Sequence, residues 1–262
     1  MNALQKTTFT IVQRPDECSA KLAARIRTAL KAQGLRESAA HPDTVFVVGG
    51  DGTFLYAVHK YMNQLDTAVF YGIHTGTLGF FTDYRDDEAE EYLNTYLNQS
   101  GTIVKSQILE VRAGRSVHYG LNEMRIENTV RTQCMDVLIN GTPFETFRGT
   151  GMLVATQLGS TAYNRSLGGA VIQEGLPLLE MCEIAGIHHS AYRSLGSPII
   201  VKEDAKITFR ADSFAGAVLG VDSDIWPLDG QKEIQVCLCP KRAVRMYRGR
   251  GTSWFEKLHS LF

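Results

Sequence analysis

The chain has 262 residues, 44% of them hydrophobic and 21% charged, which fits a globular protein with a real core and is long enough for two domains. A formal net charge of −1 excludes a general electrostatic pull toward nucleic acid or an anionic membrane. The N-terminus has no apolar signal region, no run approaches the roughly 18 apolar residues of a membrane span, and five scattered cysteines are an odd count for a disulfide framework. Reduced thiols and a cytoplasmic setting are therefore expected.

The first third alternates strand and helix. Residues 9–12 read as a strand, and 17–33 have helical spacing, with Asp16 placed to cap the start and Gly34 the end. A second strand at 45–48 is followed by a helix over 54–65, a third strand at 68–73 and a helix over 88–97. This succession predicts a Rossmann-like, mostly parallel sheet, in which ligands bind at the carboxyl ends of strands. From about residue 100 the pattern turns to short alternating segments, at 103–111, 117–119, 123–127, 135–139, 144–147, 151–155, 206–210, 217–221 and 233–238. Asn140-Gly141 between two of them is a hairpin signal. Two short helices are expected within this stretch, near 161–166 and 176–183. The fold class expected is an α/β N-terminal domain (residues 1–99, with the tail 241–262 packing back on it) plus a mostly antiparallel all-β domain over 100–240. The basic residues near the end (Lys241, Arg242, Arg245, Arg248, Arg250) read as a solvated edge.

The strongest chemical signal is Gly49-Gly50-Asp51-Gly52-Thr53, directly after the 45–48 strand. Glycines let a phosphate approach the main chain, and a following helix would aim its free N–H groups and positive dipole end at it. Asp51 is then a carboxylate set where anions bind, suited to taking a proton from an acceptor hydroxyl, as a kinase needs. The loop His74-Thr75-Gly76-Thr77-Leu78-Gly79-Phe80-Phe81 suits a flat ring lying against backbone, with His74 a possible base. Asn122-Glu123 can hydrogen-bond sugar hydroxyls or an exocyclic amine. Gly159-Ser160-Thr161-Ala162-Tyr163-Asn164 leads small hydroxyl side chains and one aromatic ring into a helix. Taken singly, Phe80 and Phe81 read as core, and the other segments as turns and caps.

In this order, the four segments resemble the NAD kinase family, over about residues 45–222. The resemblance implies a homo-oligomer, a dimer or tetramer, whose sites borrow residues from a second subunit. It implies transfer of the γ-phosphoryl of ATP (with Mg²⁺ or Mn²⁺), or of polyphosphate, to the 2′-hydroxyl of the adenosine ribose of NAD. Asp51 resembles the catalytic aspartate. Gly49, Gly50, Gly52 and Thr53 would meet phosphates, while His74, Phe80, Phe81 and Arg148 would lie along the nucleotide. Asn122 and Glu123 would hold ribose or adenine, and Thr161, Ala162, Tyr163 and Ser166 would surround a base. Ala185 and Ile187 resemble positions supplied by a neighbouring subunit, and Asp222 a late acidic position near the site. Two departures stand out: the family usually has Asp-Gly where this chain has Thr150-Gly151, and Thr-Pro followed by a small residue where it has Thr156-Gln157-Leu158. Weaker or altered NAD binding is the expectation from the two together. The alternatives are a non-catalytic dinucleotide binder and, behind it, a lipid kinase.

Overall fold

The computed structural model describes residues 7–76, 79–188, 194–249 and 253–260. They fall into two compact units, residues 1–105 with 243–262, and residues 106–242.

The first unit is built on parallel strands. β1 (Thr8–Gln13) is followed by α1 (Glu17–Ala32), the two-residue β2 (Arg36–Glu37), β3 (Thr44–Val48), α2 (Asp51–Lys60), β4 (Val69–Ile73) and α3 (Ala89–Leu97). β1 pairs in parallel with β2 and β3, and β3 with β4. All five residues of β3 and of β4 are buried, the signature of strands covered on both faces. α1 begins as its sequence demands: Asp16 is extended, and its carboxylate accepts the Ser19 N–H. Leu22, Ala23, Ile26 and Leu30 then fall on one buried face. Beneath them lies an aromatic core in which Phe46 meets Phe9, Tyr71, Tyr92 and Tyr96 edge-on, and Tyr71 stacks on Tyr92 at 4.1 Å. The tyrosine hydroxyls are satisfied inside: Tyr71 and Tyr92 each donate to the other's carbonyl, and Tyr96 pairs with Thr44.

The second unit is a sandwich. β5 (Thr102–Ala113) enters it and pairs with β6 (Ser116–Gly120). β7 (Glu123–Glu127), β8 (Gln133–Ile139), β9 (Thr142–Gly149) and β10 (Gly151–Thr156) follow, then the one-turn α4 (Tyr163–Ser166), β11 (Leu178–Ile184), β12 (Ile199–Lys202), β13 (Ile207–Arg210), β14 (Val218–Val221), β15 (Asp224–Pro227) and β16 (Glu233–Arg248). One sheet is antiparallel, in the order β12-β11-β10-β7-β14-β15. In the other, β9, β8, β13 and β16 lie side by side. Alternate residues from both layers close one core, including Met124, Ile126, Met152 and Val154 from the first and Val137, Phe147, Phe209 and Val236 from the second. The β8–β9 turn has Asn140 at φ 52° and Gly141 at φ 80°, as a two-residue hairpin with the hand of the strands requires.

From residue 243 the chain belongs to the first unit again, where Met246 of β16 pairs in parallel with Phe70 of β4. α5 (Trp254–His259) follows, capped by Ser253 and Glu256 in a reciprocal box. Leu261 and Phe262, part of the expected apolar tail, lie outside the described residues.

Four expectations need correction. The segment 176–183 is not a helix but the start and body of β11, paired on both sides, with Glu180 buried and bonded to Asn164 and the Ala170 N–H. The helix expected over 54–65 starts at Asp51 and ends at Lys60, and only a 3₁₀ turn, Met62–Gln64, continues it. The strand expected at 233–238 runs on for ten more residues. The basic residues are no simple solvated edge: Arg242 lies over the Tyr119 ring at 4.3 Å, Arg245 donates to the carbonyls of Asp66 and Thr67, and the Arg248 side chain is 10% exposed. Arg250 lies outside the described residues.

Candidate active site

In the first unit, the sequence-predicted residues gather at the carboxyl end of β3. Gly49 sits at φ +151°, and a Cβ there would press on the Thr53 side chain, so this bend is closed to larger residues. Gly50 is extended and caps α2, its carbonyl accepting the N–H groups of Thr53 and Phe54. Asp51 is thus the first residue of a helix, where unpartnered N–H groups and the positive dipole end favour anions. Its carboxylate is held from a second segment: Phe80 N–H donates to Oδ2 at 3.0 Å and Phe81 N–H to Oδ1 at 3.1 Å. Two donors fix the plane of the carboxylate while leaving each oxygen acceptor capacity for one more hydrogen. Gly79 makes this approach possible, since a Cβ there would collide with the Asp51 carboxylate. Thr77 and Leu78, between the two arms of this loop, lie outside the described residues.

His74 ends up buried at 6% exposure, its Nε2 3.4 Å from where a Cβ on Gly50 would stand. Burial lowers its proton affinity more than the nearby Asp51 charge raises it, so at neutral pH the ring is uncharged. Its Nδ1 is buried and has no hydrogen-bond partner among the described residues. Phe81 divides its roles. The ring is buried, stacked on Phe54 at 4.8 Å, and only its N–H serves the carboxylate. Phe80 stays half-buried.

In the second unit, Asp222 organises the turn into β7. Its carboxylate accepts the N–H groups of Leu121 (2.7 Å), Asn122 (2.8 Å) and Glu123 (3.2 Å), and its own backbone stands at φ 50° to do so. Glu123 is buried beside it, and its Oε2 has no partner among the described residues. Burial first, and the Asp222 charge second, push the Glu123 carboxyl up to about 7, against a weaker pull from Arg125. Arg125 is committed elsewhere, to Glu127 at 2.8 Å and the Asp222 carbonyl at 3.0 Å. The Asn122 Oδ1 is likewise buried and unpaired. The second glycine segment packs on this turn: a Cβ on Gly159 would strike the Asn122 backbone, and Thr156 Oγ1 donates to the Leu121 carbonyl at 2.7 Å. Thr161, Ala162 and Tyr163 stay half-buried and Ser166 exposed, and Tyr163 reaches Glu127 Oε1 at 3.4 Å. Arg148 is half-buried, and its carbonyl accepts the N–H of Ile187, itself 46% exposed; Ala185 stands at φ 46° and is exposed too.

The family models decide the matter. The model described as ATP-NAD kinase N-terminal domain matches residues 2–101, and that of the ATP-NAD kinase C-terminal domain matches residues 121–248. The chain belongs to the NAD kinase family. A relative named NAD kinase from Limosilactobacillus reuteri is 40% identical over 213 residues, 79% of either chain. Another from Streptococcus pneumoniae strain 70585 is 39% identical over 249 residues, covering 93% of this chain and 92% of that one. Among solved structures, an NAD kinase from Archaeoglobus fulgidus in complex with ATP aligns with a TM-score of 0.80 at 22% identity, over 97% of this chain and 99% of that one. A yeast NADH kinase complexed with NADH aligns at 0.84 and 20% identity, over 97% and 87%. At such identities the last two speak for the fold. As an NAD kinase, the chain is an enzyme that phosphorylates NAD to NADP with ATP as donor, and nothing in these similarities favours a lipid kinase or a non-catalytic binder.

Some residues of the candidate site were not singled out in the sequence. Gly79 was visible only as one glycine among several in its loop. Glu180, which pins the 159–170 segment by accepting a 2.7 Å bond from Asn164, carried one usable signal: an acidic residue inside an apolar run. Asp83, two residues past Phe81 and buried in a pair with Lys257, gave none. Among the described residues, no helix is long and apolar enough to cross a membrane.

Proposed function

We propose that Asp51 takes the proton of the adenosine 2′-hydroxyl of NAD as phosphorus is transferred to that oxygen. The observation that carries this is the Asp51 carboxylate itself, at the first residue of a helix with both oxygens oriented by backbone N–H groups. Phosphoryl transfer needs mainly in-line positioning and charge neutralisation. Gly50 and Gly52 receive phosphates on backbone N–H groups at the helix start. Gly49 and Thr53 shape the turn, their own N–H groups going to the Ile73 and Gly50 carbonyls, and Thr53 offers its hydroxyl. Mg²⁺ or Mn²⁺ enters as part of the metal–ATP substrate and offsets phosphate charge there. Neutral His74 and half-buried Phe80 flank the nucleotide. Asn122 Oδ1 and Glu123 Oε2, buried oxygens with no hydrogen-bond partner among the described residues, suit ribose hydroxyls or an adenine amine. Asp222 acts on them by fixing their turn. Thr161, Ala162, Tyr163 and Ser166 border a base. Exposed Ala185 and Ile187, anchored by Arg148, suit insertion beside a neighbouring subunit's site, so a dimer or tetramer is part of this reading. Five free cysteines agree with a reducing cytoplasm.

The test is Asp51→Asn. Turnover in a coupled assay for NADP, run with ATP or polyphosphate and Mg²⁺, should fall by about 10²–10⁴-fold. Calorimetric binding of NAD should persist. Near-normal turnover would remove Asp51 from the chemistry.

A further inference from the structure

The end of the chain is tied to the loop that holds Asp51. Asp83, two residues beyond Phe81, has a side chain only 3% exposed, and a carboxylate there is costly to bury unless it is paired. Its partners among the described residues come from the C-terminal segment. Arg248 Nη1 donates to Oδ1 at 3.3 Å, the Gly249 N–H to Oδ2 at 3.1 Å, and Lys257 Nζ to Oδ1. Both cations are themselves buried, with side chains 10% and 6% exposed. The same Arg248 Nη1 also donates to the Phe80 carbonyl at 3.2 Å.

That carbonyl shares one peptide with the Phe81 N–H, which donates to Asp51 Oδ1. A peptide is planar, and its C=O and N–H point in opposite directions. Arg248 and Asp51 therefore hold the two ends of one rigid plane. A cation on the carbonyl also polarises the peptide and strengthens its N–H as a donor. Lys257, on α5, neutralises the carboxylate that fixes where Arg248 sits.

We infer that Arg248 and Lys257 are positioning residues for phosphoryl transfer: by clamping Asp83 and the 80–81 peptide they set the direction in which Asp51 meets the acceptor hydroxyl. This rests on the reading of Asp51 as the base. An ion cluster that merely pinned the tail would act on stability alone and leave kcat of the folded enzyme unchanged.

The experiment compares Lys257→Met, Lys257→Arg, Arg248→Lys, Asp51→Asn and the double variant D51N/K257M, by coupled NADP formation and by circular dichroism. Lys257→Met is expected to lower kcat about a hundredfold with KM for NAD unchanged. Lys257→Arg should restore most of it, since a guanidinium on that stem also reaches Asp83. Arg248→Lys keeps the charge but loses the planar fork that bonds two acceptors, so it too should lower kcat and not raise KM. In D51N/K257M the second substitution should add nothing, because both act through one carboxylate. The inference is overturned if Lys257→Met and Arg248→Lys keep wild-type kcat, if their loss lies in KM, or if the losses multiply in the double variant. Should Lys257→Met fail to fold, Arg248→Lys, alone and with Asp51→Asn, decides by the same criteria. Failure of the Asp51 reading looks different: Asp51→Asn alone then turns over normally.

Discussion

Glu123 makes the fold pH-sensitive in a direction opposite to most carboxylates. Its ordinary value of 4.5 is pushed up to about 7 by burial and the neighbouring Asp222 charge. In the unfolded chain the group loses its proton near 4.5, while in the fold it keeps it until about 7. Between these values the folded state binds more protons than the unfolded one, so stability falls as pH rises through this window and levels off above it. At about 1.4 kcal/mol per pH unit, the full effect is about 3 kcal/mol of stability present at pH 5 and absent at pH 8. Glu123→Gln replaces the neutral acid with a neutral amide and removes the titration. The variant should match wild type near pH 5 and melt higher at pH 8, by roughly 6–12 °C for that free energy in a chain of this size. Melting curves of both proteins without nucleotide, taken from pH 5 to 8, give the test. Their difference isolates this one group, because Glu145, whose carboxyl burial also raises, titrates in both. A difference that stays flat with pH, or a variant less stable than wild type at pH 8, would refute the reasoning.

Three further outcomes follow from named contacts. Gly79→Ala puts a methyl group on the Asp51 carboxylate and should lower kcat about a hundredfold in the NADP assay; unchanged turnover would show that the loop tolerates a shift the geometry forbids. Thr150→Asp supplies the acidic residue that the resemblance to the family leads one to expect at this place. The Thr150 backbone is already pinned, its N–H to the Ile184 carbonyl at 3.1 Å and its carbonyl to the Asn128 N–H at 2.8 Å, so only the side chain changes. A charged hydrogen bond to NAD is worth about 1.5–3 kcal/mol, roughly ten- to a hundredfold in Kd by calorimetry, and an unaltered Kd would count against any such contact. Phe209→Ala empties the middle of the sandwich core and should cost about 3–5 kcal/mol in denaturant unfolding, with a loss under 1 kcal/mol arguing that the core collapses to fill the space.

What the sequence displayed was whatever short-range chemistry decides. A strand ending in Gly49-Gly50-Asp51 had to deliver its carboxylate to a helix start, because the glycines and the helix are neighbours in sequence. Asp16 and Asn140-Gly141 were legible for the same reason, since a cap and a two-residue turn are fixed by a few adjacent residues. The segment at 176–183 misled because Glu180 and Glu183, three apart, imitate the polar face of a helix. The partners that make Glu180 a strand residue, Ala170 and Asn164, lie 10 and 16 positions away. The short strands β2, β12 and β15 have too few residues for any period to emerge.

The end of the chain carries this limit into function. Arg248 looked like one member of a solvated basic cluster, because a guanidinium in a charged stretch reads as surface unless its partner is known. That partner, Asp83, is 165 positions earlier, and Lys257 is 174 positions from it. The strand expected at 233–238 continues past Pro240 and the charges at 241 and 242, and so carries Arg248 to the aspartate. The glycine-rich loop therefore points to the carboxylate proposed as the base, while the groups inferred to aim it belong to a segment whose local pattern is ordinary. For an enzyme whose chemistry is mostly positioning, the second set can weigh on the rate as heavily as the first.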